Sequence, residues 1–368
     1  MAFSALSTTP SRRIRVLVVD DSAVVRGLIS RTLDGDPEIE VVASAPDGRA
    51  AVAAVARSPV DVVVLDVEMP IMDGLTAIPL LLKASPGLKI VMSSTLTAKS
   101  AQTTLDALSA GATDYVLKPS ATREMFDASS FSRELRTKIK QFGTNRTAAA
   151  RSPVAATAAA RSPVRANSEA LSLRPVPAVP PEILAIGSST GGPQALQQVL
   201  KELPPNPRIP ILIVQHMPAT FTGILASHIS RQCGVAAAEA VDGCKVEPGH
   251  IYIAPGNCHM TVDATRVIRL NQDPPENYCR PSVDPTLRSL AAVYGSRVLT
   301  VILTGMGYDG LKGCEAVVEA GGSVIAQDKA TSVVWGMPGA VATAGLCSAV
   351  LPLAEIGQRL LPYMLKRL

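Results

Sequence analysis

Aromatic side chains are scarce in this chain: Phe, Trp and Tyr make up 3 % of its 368 residues. A groove for single-stranded nucleic acid needs aromatic stacking platforms, so the composition argues against one. Charged residues are also few, at 18 %, and the net charge of +4 has a single source. Between Thr144 and Pro181 five arginines (Arg146, Arg151, Arg161, Arg165, Arg174) stand against the one acid Glu169, which accounts for the whole excess. The rest of the chain is neutral overall and offers no basic face for nucleic acid. No cysteine precedes Cys233, and the six present (Cys233, Cys244, Cys258, Cys279, Cys314, Cys347) form no C-x-x-C pair. A structural zinc site is thereby disfavoured, and an even count signals disulfides only in short secreted chains. No apolar run reaches the length of a membrane span, and Met1 to Arg13 lacks the apolar core of a secretory signal. The expectation is a cytoplasmic, reduced protein without membrane insertion.

What is present is an ordinary aliphatic core composition, with 47 % hydrophobic residues. At roughly 150 residues per domain, the length suggests two domains with some chain left over. Residues 144–181 are dominated by Ala, Pro, Ser and Arg, and Arg-Ser-Pro-Val occurs twice, starting at Arg151 and Arg161. Such a stretch buries too little apolar surface to offset its ordering entropy and reads as a flexible linker. Before it, β-branched runs predict strands at Val16–Val19, Val41–Ala45, Val62–Leu65, Ile90–Ser93 and Tyr115–Leu117. Helical stretches at Ser22–Leu33, Gly48–Arg57, Leu75–Lys83 and Ser100–Ala110 alternate with them. Nearly continuous apolar strands suit a parallel sheet covered by helices on both faces. After the linker, strands are predicted at Ile183–Ile186, Ile209–Val214, Val298–Leu303 and Ser323–Ala326. The Gly- and Pro-richer middle, Val235 to Leu270, is expected to hold an antiparallel excursion. The fold class is α/β in both halves: a five-stranded doubly wound, flavodoxin-like domain, then a mostly parallel, Rossmann-like one.

In a sheet of order 2-1-3-4-5 the first and third strands are neighbours at the switch point. Asp20 and Asp21 follow the first strand and Asp66 ends the third, so the three carboxylates are expected to share a crevice. Clustered carboxylates repel unless a cation joins them, and a hard ion such as Mg²⁺ suits oxygen donors. Ser94 and Thr95 close the fourth strand and Lys118 the fifth, adding hydroxyls and a cation at the same rim. Helix capping alone would explain Asp20 or Asp21. It does not explain Asp66, Ser94 and Lys118, all at strand ends.

In the second half, Gly187, Ser189 and Gly191 satisfy G-x-S-x-G, which exposes a serine on a sharp strand-to-helix turn. A structural or phosphate-gripping glycine turn would look the same over so short a motif. The next strand delivers Gln215-His216-Met217-Pro218, which puts a candidate base one strand from the serine. The strand at Val298–Leu303 opens into Thr304-Gly305-Met306-Gly307-Tyr308-Asp309-Gly310. Read literally this is G-x-G-x-x-G with Asp328 after the next strand, as in a dinucleotide-binding oxidoreductase. Asp309, however, would set a carboxylate against a pyrophosphate, whereas it suits a triad in which it orients His216. A second assignment uses Asp242 with His250 or His259, the chain order of common α/β-hydrolases.

The N-terminal residues resemble the response-regulator receiver domain. That resemblance implies a phosphoacceptor at Asp66, Mg²⁺ ligands at Asp20, Asp21 and Asp66, a switch hydroxyl at Ser94, a switch aromatic at Tyr115 and the lysine Lys118. The C-terminal motifs, with Cys279-Arg280-Pro281-Ser282-Val283-Asp284 between them, resemble the protein-glutamate methylesterase family of bacterial chemotaxis. Here it implies the nucleophile Ser189, the base His216, the acid Asp309 and an oxyanion contact from the Met306 N–H. Ser188 replaces the alanine usual at its position. The implied organisation is a receiver at 14–130, a linker at 144–181 and a catalytic domain at 182–368. The implied enzyme hydrolyses glutamate γ-methyl esters, and deamidates glutamines, on methyl-accepting chemotaxis receptors. It would take its phosphoryl group from a chemotaxis histidine kinase and need no cofactor for the esterase step. A serine hydrolase of other substrates and a non-catalytic regulator remain as alternatives.

Overall fold

The computed structural model describes residues 12–119, 126–149 and 171–365, and the middle of the expected linker, 150–170, lies outside them. The chain divides into two compact units. The first contains β1 (Ile14–Val19), α1 (Ala23–Asp34), β2 (Ile39–Ala45), α2 (Gly48–Arg57) and β3 (Val62–Asp66). It continues with α3 (Gly74–Ala84), β4 (Lys89–Ser94), β5 (Asp114–Leu117) and α5 (Phe126–Ala149), while α4 (Ala98–Ser109), between β4 and β5 in the chain, is divided, its residues up to Leu105 being grouped with the second unit. All strand pairings are parallel, in the order β2-β1-β3-β4-β5 that the strand-end acids require. Val62, Val63, Val64 and Leu65 are wholly buried, as a central strand covered on both faces must be. Helix α5 runs to Ala149, so the opening of the segment read as linker, 144–149, is helical instead. Its Thr-Ala-Ala composition is compatible with a helix end as well as with a tether.

The second unit opens with β6 (Ile183–Ser188), α6 (Gly192–Lys201), β7 (Ile211–Gln215) and α7 (Ala219–Cys233). Then come β8 (Ala236–Glu239), β9 (His250–Ile253), β10 (His259–Val262), β11 (Ile268–Asn271) and α8 (Val283–Tyr294). The remainder is β12 (Val298–Ile302), α9 (Leu311–Glu319), β13 (Ser323–Gln327), α10 (Met337–Thr343), β14 (Ala349–Leu351) and α11 (Leu353–Met364). Seven strands form a parallel sheet in the order β14-β13-β12-β6-β7-β9-β8. The expected antiparallel excursion is the hairpin β10–β11. The reading of the middle needs one correction, because β8 and β9 join the main sheet in parallel. Their sequences, Ala-Ala-Ala-Glu and His-Ile-Tyr-Ile, are too short to announce this, and the pairing of β9 with β7 and of β8 with β9 supplies what local propensity does not.

The order reverses between β6 and β12, so the carboxyl ends of these central strands open the crevice in which doubly wound folds place their sites. A short segment before β6 is tied to the unit through the Arg174 N–H, which donates to the Cys347 carbonyl at 2.8 Å. Among the described residues, no helix is long and apolar enough to cross a membrane.

Candidate active site and candidate phosphoacceptor site

At the first site, β1 and β3 are adjacent, and Asp20, Asp21 and Asp66 each present a carboxylate oxygen within 4.8 Å of the others. The capping alternative fails on inspection. Ser22, rather than either aspartate, is the N-cap of α1, and the Asp20 carboxylate instead accepts from the Ser22 N–H at 2.9 Å. Lys118 reaches two of the three acids, with its Nζ 2.7 Å from Asp20 and 2.8 Å from Asp66. Burial raises the Asp66 pKa and the neighbouring Asp20 charge adds to the rise, outweighing Lys118 and the Val67 N–H. The all-oxygen donor set and this mutual repulsion fit a hard divalent cation, with which the three carboxylates would share their excess charge.

Ser94 lies one residue past Ser93, the register partner of Asp66, and is therefore at the same edge of the sheet. Its hydroxyl donates to the Thr95 carbonyl at 3.2 Å, and the Lys118 N–H donates to the Ser94 carbonyl at 2.7 Å. Tyr115 is buried, and the Lys138 ammonium stands 5.3 Å from its ring centroid. Asp20, Asp21, Asp66, Ser94 and Lys118 thus lie at the carboxyl ends of β1, β3, β4 and β5, and Tyr115 lies within β5.

In the second unit, three neighbouring strand ends supply the predicted trio. Ser189 follows β6 directly, and its N–H donates to the Thr304 carbonyl beyond β12 at 3.1 Å. Gly305 is what allows this approach, because a Cβ there would lie 2.9 Å from the Ser189 Cβ and would also strike Met337. His216 follows β7, and its N–H donates to the Ser188 carbonyl at 3.1 Å. His216 Nε2 lies 2.7 Å from Asp309 Oδ2.

Asp309 is held by many more groups than the histidine. Its carboxylate accepts from Ser282 Oγ and the Val283 N–H, both at 2.7 Å, and from Asn277 Nδ2 at 2.8 Å. The Gly310 N–H donates to it at 2.9 Å. Helix α8 begins at Val283 without a side-chain cap, so Asp309 caps it from a distant part of the chain. Burial penalises the Asp309 charge, but His216 and these donors outweigh it and hold its pKa low. Burial likewise disfavours a charged His216, yet the bonds to Asp309 and Cys279 prevail and its pKa is raised.

An ionised Asp309 on Nε2 leaves Nδ1 as the proton-accepting nitrogen of the ring. In this structure Nδ1 is 3.4 Å from the Cys279 thiol. Among the described residues, Ser189 Oγ has no hydrogen-bond partner, so the serine and histidine are juxtaposed through backbone without a side-chain bond. Among the described residues the Met306 N–H has no hydrogen-bond partner either, and nor does that of Thr190, the residue after the serine. An oxyanion contact uses such N–H groups.

The alternatives fare differently. His259 is buried with Nδ1 accepting from the Ser282 N–H at 3.2 Å and Nε2 against the Pro274 carbonyl at 3.2 Å, so both nitrogens serve the backbone. His250 is exposed, and Asp242 accepts from the Leu270 N–H at 2.8 Å. Asp328 closes a local turn by accepting from the Thr331 N–H at 2.9 Å. The sequence did not disclose Asn277, Ser282 or Cys279 as partners of the trio. The run Cys279-Arg280-Pro281-Ser282-Val283-Asp284 entered the sequence reading only as part of the family resemblance, with no role for its side chains, and Asn277 gave no signal.

Two family models match the chain: the response regulator receiver domain over residues 16–130 and CheB methylesterase over residues 184–360. A protein-glutamate methylesterase/protein-glutamine glutaminase of the group 2 operon of Rhodospirillum centenum is 58 % identical, the match covering 93 % of this chain and 92 % of that protein. Its counterpart from Azospirillum brasilense is 56 % identical over 96 % of this chain and 92 % of the relative. Among solved structures, the Thermotoga maritima CheB methylesterase catalytic domain is 45 % identical, covers 50 % of this chain and 98 % of its own, and has a TM-score of 0.48.

Proposed function

Since the chain belongs to the receiver-linked family of protein-glutamate methylesterases/protein-glutamine glutaminases, we propose that Ser189, His216 and Asp309 carry out ester hydrolysis under the control of a phosphoryl group on Asp66. The observation that carries this reading is the His216–Asp309 hydrogen bond at 2.7 Å, on the strand next to the serine turn. His216 Nδ1 takes the proton of Ser189 Oγ as that oxygen attacks the glutamyl ester carbonyl, with the Cys279 thiol giving way. The Met306 N–H, with that of Thr190, receives the negative oxygen. The imidazolium returns the proton to the departing methoxide, methanol leaves, and water then cleaves the acyl-enzyme by the same route. With a glutamine side chain, ammonia leaves in place of methanol.

The receiver spans 14–130 in this reading and the catalytic domain 182–368. Asp20, Asp21 and Asp66 would hold Mg²⁺, which supplies neutralisation of phosphoryl oxygens when bound. The phosphodonor is a chemotaxis histidine kinase, the substrates are methyl-accepting chemotaxis receptors, and the compartment is the cytoplasm. The test is incubation of the full chain with methyl-labelled receptor while volatile methanol is counted. Methanol release that increases with a small phosphodonor and Mg²⁺ is expected, and its absence under both conditions would refute the reading.

A pH dependence follows from the raised His216 pKa. Only the neutral ring can take the serine proton, so kcat/KM should rise with pH along a limb lying above the ordinary imidazole range of about 6.5. Asp309→Asn removes the charge that favours the imidazolium, so the limb should move to lower pH while the maximal rate falls. A limb that stays in place in this variant would show that another group controls it.

A further inference from the structure

We propose that Tyr278 and Tyr308 form the surface on which the receptor segment carrying the glutamyl ester is seated, and so set the affinity of this chain for its protein substrate. This inference rests on the assignment of Ser189, His216 and Asp309 above. Both tyrosines adjoin the trio. Tyr278 lies between Asn277, whose Nδ2 donates to Asp309 Oδ1 at 2.8 Å, and Cys279, whose thiol is 3.4 Å from His216 Nδ1. Tyr308 immediately precedes Asp309. Tyr278 is 97 % exposed and Tyr308 54 %, and among the described residues no other Phe, Trp or Tyr is exposed. In a chain so poor in aromatics, the two left in solvent flank the reacting groups.

Neither packing nor backbone preference selects a tyrosine at position 278. Glu276 and Cys279 exchange N–H···O bonds at 3.1 and 2.9 Å, so Asn277 and Tyr278 are the central residues of a tight hairpin turn. Their φ angles are 53° and 63°. Left-handed backbone at both positions is what a type I′ turn requires, and glycine suits the second of them. A bulky residue in that conformation is disfavoured, and this one buries almost nothing in return. Binding supplies the reason that stability does not. A glutamyl ester side chain offers few atoms, so affinity for a protein substrate comes from the polypeptide around it. That polypeptide must meet the enzyme beside Ser189 and His216, where the two tyrosines stand. Tyrosine suits the task, with a large apolar ring, few rotatable bonds and a hydroxyl for a polar partner. Its uncharged ring also matches a glutamate whose charge the methyl group has removed.

The experiment uses the full chain with methyl-labelled receptor, phosphodonor and Mg²⁺, thermal unfolding being the check on folding. Tyr278→Gly and Tyr308→Ala are each expected to lower kcat/KM about five- to ten-fold through KM, with kcat little changed. Tyr278→Gly should unfold no earlier than the parent, because glycine is at ease in the left-handed position. Tyr308→Ala keeps the carbonyl that accepts from the Leu311 N–H at 3.1 Å. The rate at which a fluorophosphonate labels Ser189 reports on the trio without the polypeptide, and it should match the parent in both variants. Parent KM in both would overturn the proposal. A parallel loss of labelling would overturn it too, by making the tyrosines supports of the trio. So would a faster reaction without phosphodonor, which would assign them to the chain's own receiver, or a changed sedimentation coefficient, which would assign them to a second copy. Ser189→Ala keeps the two ideas apart. Activity retained there refutes the nucleophile assignment, whereas its loss together with parent KM in the tyrosine variants refutes only the docking surface.

Discussion

Replacing Ser189 by alanine should abolish methanol release, by roughly a thousand-fold or more, without unfolding the protein. The size of the effect comes from removing the only atom able to form the acyl-enzyme, leaving the oxyanion contacts and substrate binding to act on water alone. The fold should survive because the serine is fixed by its backbone. Its N–H donates to Thr304, and its carbonyl accepts from Gly192 and Gln215, all through atoms that alanine retains. Its hydroxyl has no partner among the described residues, so its loss orphans no buried group. His216→Ala should be about as damaging, and adding it to Ser189→Ala should cost little more, because the two act as a unit. Asp309→Asn should be milder in rate but harder on stability, since Asp309 also caps α8 and receives Ser282 and Asn277. Turnover by Ser189→Ala at the parent rate, on methyl-labelled receptor, would show that the nucleophile lies elsewhere.

Asp66→Asn should accept no phosphoryl group from a small phosphodonor in Mg²⁺ and should lose all phosphodonor stimulation of the esterase, while basal hydrolysis persists. The amide nitrogen is no nucleophile at neutral pH, and the exchange also takes one negative charge from the cation site. Stability should hold or rise slightly. The folded-state pKa of Asp66 is raised, so its ionised form is disfavoured by burial and by Asp20, and a neutral isostere avoids that penalty. Part of the gain is offset because Lys118 keeps Asp20 at 2.7 Å but loses its second carboxylate. Base-labile phosphate persisting on the variant would place the acceptor elsewhere. Retained stimulation without label would mean that the phosphodonor acts by another route.

The chain's local pattern determined most of the scaffold. Short apolar runs rich in β-branched residues, such as Val62–Leu65, suit interior parallel strands, and the glycine, serine and aspartate clusters that follow such runs suit strand ends facing a crevice. Ser189, His216, Asp20, Asp21, Asp66 and Lys118 stood out as candidates because each ends or closely follows a strand, and Asp309 because it lies in the glycine-rich turn after β12. Where local signal was weak, legibility failed. Helix α5 runs past Thr144 into residues whose composition suits either state, and β8 is held in the sheet by β9 alone.

Tertiary structure decided how the trio is held and which way the imidazole faces. Asp309 meets Asn277, Ser282 and Val283 only because α8 starts beneath the turn after β12, and His216 presents Nδ1 to Cys279 only because Asp309 takes Nε2. The bonds that the Gln215 amide gives to the Ser189 and His216 carbonyls depend on β6 and β7 being neighbours, with Ser188 and Gln215 in register. These contacts join residues that are far apart in the chain. A hydrogen bond between distant residues leaves no periodicity in the sequence, since it depends on strand order and on where helix ends fall, which are set by the burial of the whole sheet.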